Sequence, residues 1–354
     1  MIPQEILNLR LSNQILLHKK FKEPAEVIMH MCAMQAQDFL GSLWAVGLRT
    51  ESCTETDIEK AIANRSIVRT WPMRGTLHYV VPQDIRWMLK LMTPRILKLN
   101  AKRLKRDYDL DEAVYLQSRK ILEKALQGNK QLERNNVYKV LEEEGIPATG
   151  QRGLHIIGYL AHQGILCFGE RMGKQPSFVL LDEWIPQSRE LSHEESLAEI
   201  ALRYFTSRGP ATLADFIWWT GLTSTAAKQA VELVKTSLVS ESFQDETYWM
   251  SPSIQSASLT DEILLLPPFD EYLIAYANRS LMLGDYTMKD IVPFSNGMFF
   301  PVIIEKGKLI GTWKRTIQKK SVNIELKTFI PLNKSQHDKI ERTKETYRKF
   351  LSKE

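Results

Sequence analysis

The sequence predicts a mostly helical α+β protein: three tandem winged-helix units followed by a small antiparallel β-barrel. Three observations carry that expectation. The order helix, helix, helix, hairpin occurs three times before residue 259, and the texture turns strand-rich after Thr260. The composition of the 354 residues, 44% hydrophobic and 25% charged, is that of an ordinary globular chain. The corresponding segments are 1–110, 111–190, 191–258 and 259–354.

In the first segment, residues 4–17 place Ile6, Leu9, Ile15 and Leu16 near helical spacing behind Pro3, a residue suited to a helix start. A second helix begins at Pro24 and uses Val27, Ile28, Met31 and Met34, and helical spacing resumes over 39–48 with Leu40, Leu43, Trp44 and Leu48. The polar cluster TETD can cap another helix over 54–64. Residues 67–81, IVRTWPMRGTLHYVV, then set β-branched and aromatic residues on both sides of a Pro-Met-Arg-Gly centre, as a hairpin does. A hairpin behind three helices is a winged helix.

The second segment repeats the order with helices over 116–126, 135–144 and 154–163, ended by Gly145 and Gly164, and a hairpin within 165–186. The third places helices over 195–207, 213–219 and 225–235 and a hairpin over 242–250. Identity between the copies is too low for a sequence repeat, so the argument rests on the order of elements. In the last segment, EILLLPPFDEYLIAY, GMFFPVIIEKGKLIGTWKR and SVNIELKTFI read as strands, with Lys306-Gly307-Lys308 as a hairpin turn. Asp270, within the PFDEY stretch read as strand, and Arg279, after it, are placed to pair with each other. A charged helix over 335–351 closes the chain.

The net charge of +5 permits a nucleic-acid partner without requiring one. Its distribution says more. Residues 86–106 carry Arg86, Lys90, Arg95, Lys98, Lys102, Arg103, Lys105 and Arg106 with no acid among them, which is either a solvated helix face or a phosphate-tracking one. Cys32, Cys53 and Cys167 have neither disulfide nor zinc spacing, and no apolar run approaches the roughly 20 residues of a membrane span. A cytoplasmic protein without a membrane segment is expected.

One stretch interrupts this pattern. In MQAQD (34–38) two glutamines and an aspartate divide a segment that otherwise reads as core. A buried glutamine needs partners for one acceptor and two donor hydrogens, which suits it to holding a water or polar ligand. Residues two apart on an α-helix point roughly 200° apart, so both glutamines can serve one cleft only if the helix breaks. The second helix should therefore end at or just before Gln35 and the next should start near Phe39. Asp38 is favoured as the cap of that next helix, although its carboxylate can also serve chemistry.

Several blocks in one order, RLSNQ (10–14), MQAQD (34–38), LWAVGLR (43–49), VRTWPMRGTLHYV (68–80), GKQPSFVLLDEW (173–184), RGPATLADFIWWTGL (208–222) and LLPPFDEYLIAY (265–276), resemble the AlkZ-like DNA glycosylases over essentially the whole chain. The resemblance implies a C-shaped protein with a Gln-hydrophobic-Gln motif on a concave, DNA-facing surface. Gln35 and Gln37 match that motif, as opposed to the branch of the family with Asp at the second position. It implies a monofunctional glycosylase acting on N7-alkylated purines in double-stranded DNA, with unhooking of interstrand crosslinks in some members. No cofactor or metal is expected, and a monomer is, since one chain carries three winged helices and no heptad seam.

The first hairpin combines Arg69, Arg74 and His78 with Trp71 and Met73, a mixture suited to groove contact and wedging against bases. Trp71 equally fits a core. Thr76 can add a phosphate contact, and Lys174, Lys314 and Arg315 are further backbone-contact candidates. The rival reading is a non-enzymatic winged-helix DNA-binding or regulatory protein.

Overall fold

The computed structural model describes residues 1–17, 20–253, 262–293, 297–317 and 322–352. About half of the chain is helical, the strands form small antiparallel sheets, and the chain divides into two compact units. One comprises Met1–Ile58 with Leu197–Glu354, and the other Glu59–Ser196.

The chain enters the first unit with α1 (Pro3–Asn13), α2 (Pro24–Met31), a two-residue extended segment β1 (Met34–Gln35) and α3 (Phe39–Gly47), and α4 (Glu55–Ala63) contains the boundary with the second unit. Helix α1 stops short of the expected residue 17: it ends at Asn13, and Ile15 has a positive φ of 58°, outside the right-handed helical region. Glu26 accepts from the backbone N–H of Glu23, fixing the start of α2.

The second unit holds β2 (Val68–Met73), β3 (Thr76–Val80), α5 (Ile85–Tyr108), α6 (Glu112–Leu126), β4 (Leu132–Glu133), α7 (Arg134–Glu143), α8 (Gly150–His162), β5 (Leu166–Phe168), β6 (Ser177–Leu180) and α9 (Leu181–Trp184). Strands β2 and β3 are joined by Arg74-Gly75 with φ of 54° and 70°, the paired positive values of a type I′ hairpin turn. Strands β4, β6 and β5 form a second sheet in that order. The basic stretch is one helix, α5, with Pro94 inside it. Its charge is partly balanced locally: Lys105 bonds Asp109 and Asp111 at 2.6 and 2.9 Å, Arg106 bonds Asp107 at 2.7 Å, and Arg86 bonds Asp182 at 2.7 Å.

Returning to the first unit, the chain forms α10 (His193–Arg208), α11 (Leu213–Thr220), α12 (Ser224–Val234), the hairpin β7 (Val239–Phe243) and β8 (Glu246–Met250), then β9 (Ile263–Leu266), α13 (Glu271–Ile274), α14 (Ser280–Leu283), α15 (Met288–Ile291), β10 (Val302–Glu305), β11 (Lys308–Ile317), β12 (Val322–Thr328) and α16 (Lys334–Leu351). Where the sequence predicts a small barrel or curled sheet, β12, β11, β10 and β9 form a four-stranded sheet in that order; among the described residues no pairing joins its two edges. PFDEY is not a strand. Asp270 accepts the Tyr272 N–H at 2.9 Å and opens the single helical turn α13, the local bonding that makes aspartate a cap former. Nor does Asp270 pair with Arg279, which donates to the Leu273 carbonyl at 2.7 Å and lies 5.0 Å over Trp218.

The core of this unit is aromatic. Trp44 of α3 lies 4.8 Å from Tyr347 and 5.0 Å from Phe350 of α16, and Trp313 lies 5.2 Å from Tyr347. Both indoles donate to the strand before PFDEY, Trp44 to the Leu265 carbonyl at 2.7 Å and Trp313 to that of Leu266 at 2.9 Å. Gly47 is required here because a Cβ would come within 2.5 Å of the Phe350 ring.

Candidate active site

The break expected in MQAQD is present. Helix α2 ends at Met31, Cys32 turns the chain with a φ of 62°, Met34–Gln35 is extended, and α3 starts at Phe39. Side chains alternate in extended backbone, which returns positions two apart to the same side. Burial follows that alternation: Met34 and Ala36 are buried, Gln35 is half-buried and Gln37 is exposed. The Gln35 Oε1 is itself buried and has no hydrogen-bond partner among the described residues. Asp38 caps α3, accepting the Gly41 N–H at 2.5 Å, and a Cβ on Gly41 would stand 2.7 Å from that carboxylate oxygen. The carboxylate of Asp38 is thereby engaged along its own helix.

Two adjacent acids hold the motif from below. The Glu271 Oε1 accepts the backbone N–H of Gln35 at 2.9 Å. Its Oε2 accepts from Arg208 Nη2 at 2.7 Å, Arg208 Nε at 3.1 Å and the Trp219 indole at 2.9 Å. Arg208 also donates to the carbonyls of Met31 at 2.7 Å and Ala33 at 2.8 Å, satisfying acceptors that the end of α2 leaves open. Asp270 forms a two-point pair with Arg49 at 2.8 and 2.9 Å. Arg49 in turn donates to Ala45 in α3 and to both the carbonyl and the side chain of Gln14. The segments on both sides of the glutamines are thus tied to one dipeptide, Asp270-Glu271.

His30, near the end of α2, adds a titratable group. Its Nε2 donates to the Asn13 carbonyl at 2.6 Å, while burial, aided by Arg208, Arg203 and Arg49, lowers its pKa below the ordinary 6.5. The unfolded chain then binds more protons than the folded one just below that value, so stability rises with pH across this range. The contribution is present above about 6.5 and is lost as pH falls toward the lower folded value. Urea titrations from pH 7.5 to 5 should show that slope, and His30→Gln should flatten part of it; an unchanged slope would remove His30 as its source.

The first hairpin sorts its candidates by depth. Trp71 is packed 4.9 Å from Phe168, and Met73 is fully buried, so neither side chain is on the surface. Both candidates for wedging against bases are interior, Trp71 in the core place that it fitted equally: the buried side of the hairpin extends along all of β2. Arg69 is also buried, its guanidinium 4.7 Å over Phe168. Arg74 and Thr76 are half-buried at the tip. His78 is buried; its Nδ1 lies 2.9 Å from the Thr76 carbonyl, which assigns the proton there and leaves Nε2 to accept from Arg74 at 3.3 Å.

Comparison with known proteins then decides the family. A family model described as DNA glycosylase AlkZ-like matches residues 28–350. The chain belongs to the AlkZ-like DNA glycosylases. It is similar to a Streptomyces sahachiroi protein named interstrand DNA cross-link repair glycosylase, 23% identical over 337 residues that cover 88% of this chain and 87% of that one. Its fold is similar to the solved structure of the Streptomyces sahachiroi DNA glycosylase AlkZ, with a TM-score of 0.81 at 18% identity over 98% of this chain and 96% of that one.

For an AlkZ-like DNA glycosylase the macromolecular partner is DNA. Lys174, at the turn before β6, and Lys314, on β11, are exposed. Arg315 is engaged inside its own unit, donating to the Tyr347 hydroxyl. No described helix is long and apolar enough to cross a membrane. The residues missed by sequence reading are Glu271 and Arg208. Both lie inside blocks that carry the family resemblance, yet their pairing spans 63 positions, and no local periodicity reports such a contact.

Proposed function

We propose that this AlkZ-like chain is a monofunctional glycosylase that hydrolyses the N-glycosidic bond of N7-alkylated purines in double-stranded DNA and unhooks interstrand crosslinks formed through such bonds. In this reading its three helix and hairpin repeats are winged helices, and it works as a monomer without a cofactor. The observation that carries the reading is the extended break in MQAQD, with Ala36 buried between two glutamines and a buried acceptor at Gln35 Oε1. The name of the Streptomyces sahachiroi relative supports the extension to crosslinks.

The chemistry suits neutral side chains. An N7-alkylated purine already carries a positive charge, so it leaves as a neutral base when the C1′–N9 bond breaks and takes the bonding electrons with it. No general acid is required. The sugar becomes oxocarbenium-like, and water adds at C1′ and releases its proton to solvent. An amide oxygen dipole aimed at that centre stabilises the positive charge, and the same amide orients the water. Gln35 and Gln37 share these roles, and Asp38 is assigned to its helix cap.

The test is incubation of the protein with duplex containing N7-methylguanine, measuring free base and abasic sites. Release above spontaneous depurination is expected. No release across a panel of N7-alkyl adducts and mustard crosslinks would return the chain to the class of DNA-binding proteins without an activity. Contact with the DNA backbone is assigned to Arg74, Thr76, Lys174 and Lys314. Arg74→Ala should weaken binding of every duplex sequence alike and reduce the slope of log affinity against log salt by about 1. An unchanged slope takes Arg74 off the interface.

A further inference from the structure

We propose that Glu271 is a positioning residue for the hydrolytic step, acting through the backbone of Gln35; this rests on the reading of Gln35 given above. Gln35 sits in two residues of extended chain between helices. Its N–H is held by the Glu271 Oε1 at 2.9 Å. An extended dipeptide held at its amide points its side chain in one direction, and a reacting group displaced by about 1 Å loses much of its effect.

The geometry separates this from ordinary core bonding. Glu271 is fully buried, with 1% exposure, and divides its two oxygens between two tasks. Oε2 takes both Arg208 contacts and the Trp219 indole, which neutralises and anchors the carboxylate. Oε1 is directed to the Gln35 amide. Arg208 simultaneously grips Met31 and Ala33, the turn by which the chain reaches Gln35. The clamp therefore fixes the approach to the glutamine and the glutamine itself, and its members Arg208, Trp219 and Glu271 are all buried away from the protein surface. Its removal should slow the chemical step and spare duplex affinity.

Glu271→Gln leaves Arg208 buried without its counter-charge, so Glu271→Asp is the informative variant. It keeps the charge pair and withdraws the carboxylate by one methylene. The full chain is compared with Glu271→Asp and Gln35→Ala on the N7-methylguanine duplex, recording single-turnover rate, duplex Kd, thermal unfolding and hydrogen exchange of the Gln35 amide. Expected for Glu271→Asp are a rate about tenfold lower, a Kd within twofold, retained cooperative unfolding, and faster exchange at Gln35 than at the neighbouring helices. An unchanged rate overturns the proposal. So does a loss that follows duplex affinity or unfolding while the Gln35 amide stays slow. A Gln35→Ala protein with the wild-type rate overturns the role of Gln35 itself, and this inference with it; a slowed Gln35→Ala beside a wild-type Glu271→Asp overturns only the clamp.

Discussion

Gln35→Ala is expected to lower the single-turnover release of N7-methylguanine by about 100-fold and to leave duplex Kd within twofold. The size follows from what the side chain offers. Its Oε1 is a buried dipole end without a partner among the described residues, so it is already oriented and desolvated before a cationic centre develops beside it. Alanine removes that dipole and keeps the extended backbone, which is held at its amide by Glu271 rather than by the side chain. Gln37 is exposed, hence better screened, and Gln37→Ala should lose less, about tenfold. Gln35→Glu separates the two roles: a carboxylate keeps the acceptor and strengthens stabilisation of a positive sugar, but loses the amide donor. Free base is quantified by chromatography and abasic sites by alkaline cleavage of the same duplex. A Gln35→Ala rate within threefold of wild type would place the catalytic dipole elsewhere.

The legibility of this site in the sequence divides along physical lines. The break at Gln35 was readable because helical geometry forbids residues two apart from sharing a face, and Asp38 was readable as a cap because its acceptor is local. The Arg74-Gly75 turn was readable for the same reason. What failed depended on partners far along the chain. Trp71 and Met73 look alike as core or as wedge in a hairpin that alternates little, and only burial of every position in β2 decides between them. PFDEY contains the aromatic residues favoured in strands, but Asp270 and Glu271 are spoken for by Arg49 and Arg208, whose distance in sequence hides them. The edges of the β9–β12 sheet are likewise a matter of pairing, which composition does not report.

Arg49→Met should be the most destabilising of these substitutions, by about 3–5 kcal/mol, because it breaks a buried ion pair from one side. Arg49 and Asp270 are both fully buried, and the guanidinium makes five hydrogen bonds: two to Asp270, two to Gln14 and one to Ala45. Methionine fills much of the space but leaves the Asp270 carboxylate without a counter-charge, and its remaining bond to the Tyr272 N–H does not replace one. Asp270→Asn strands the cation instead and should also destabilise. In Arg49→Met with Asp270→Asn neither charge remains, so the double variant should be more stable than Arg49→Met alone by about 1–3 kcal/mol. Urea unfolding of the four proteins closes the cycle. Strict additivity would mean that the two groups do not act as a pair. Activity supplies the second reading of the same variants: Asp270 precedes Glu271 and opens the turn that carries it, so base release should fall in Arg49→Met even at temperatures where the protein remains folded, and should recover with stability in the double variant.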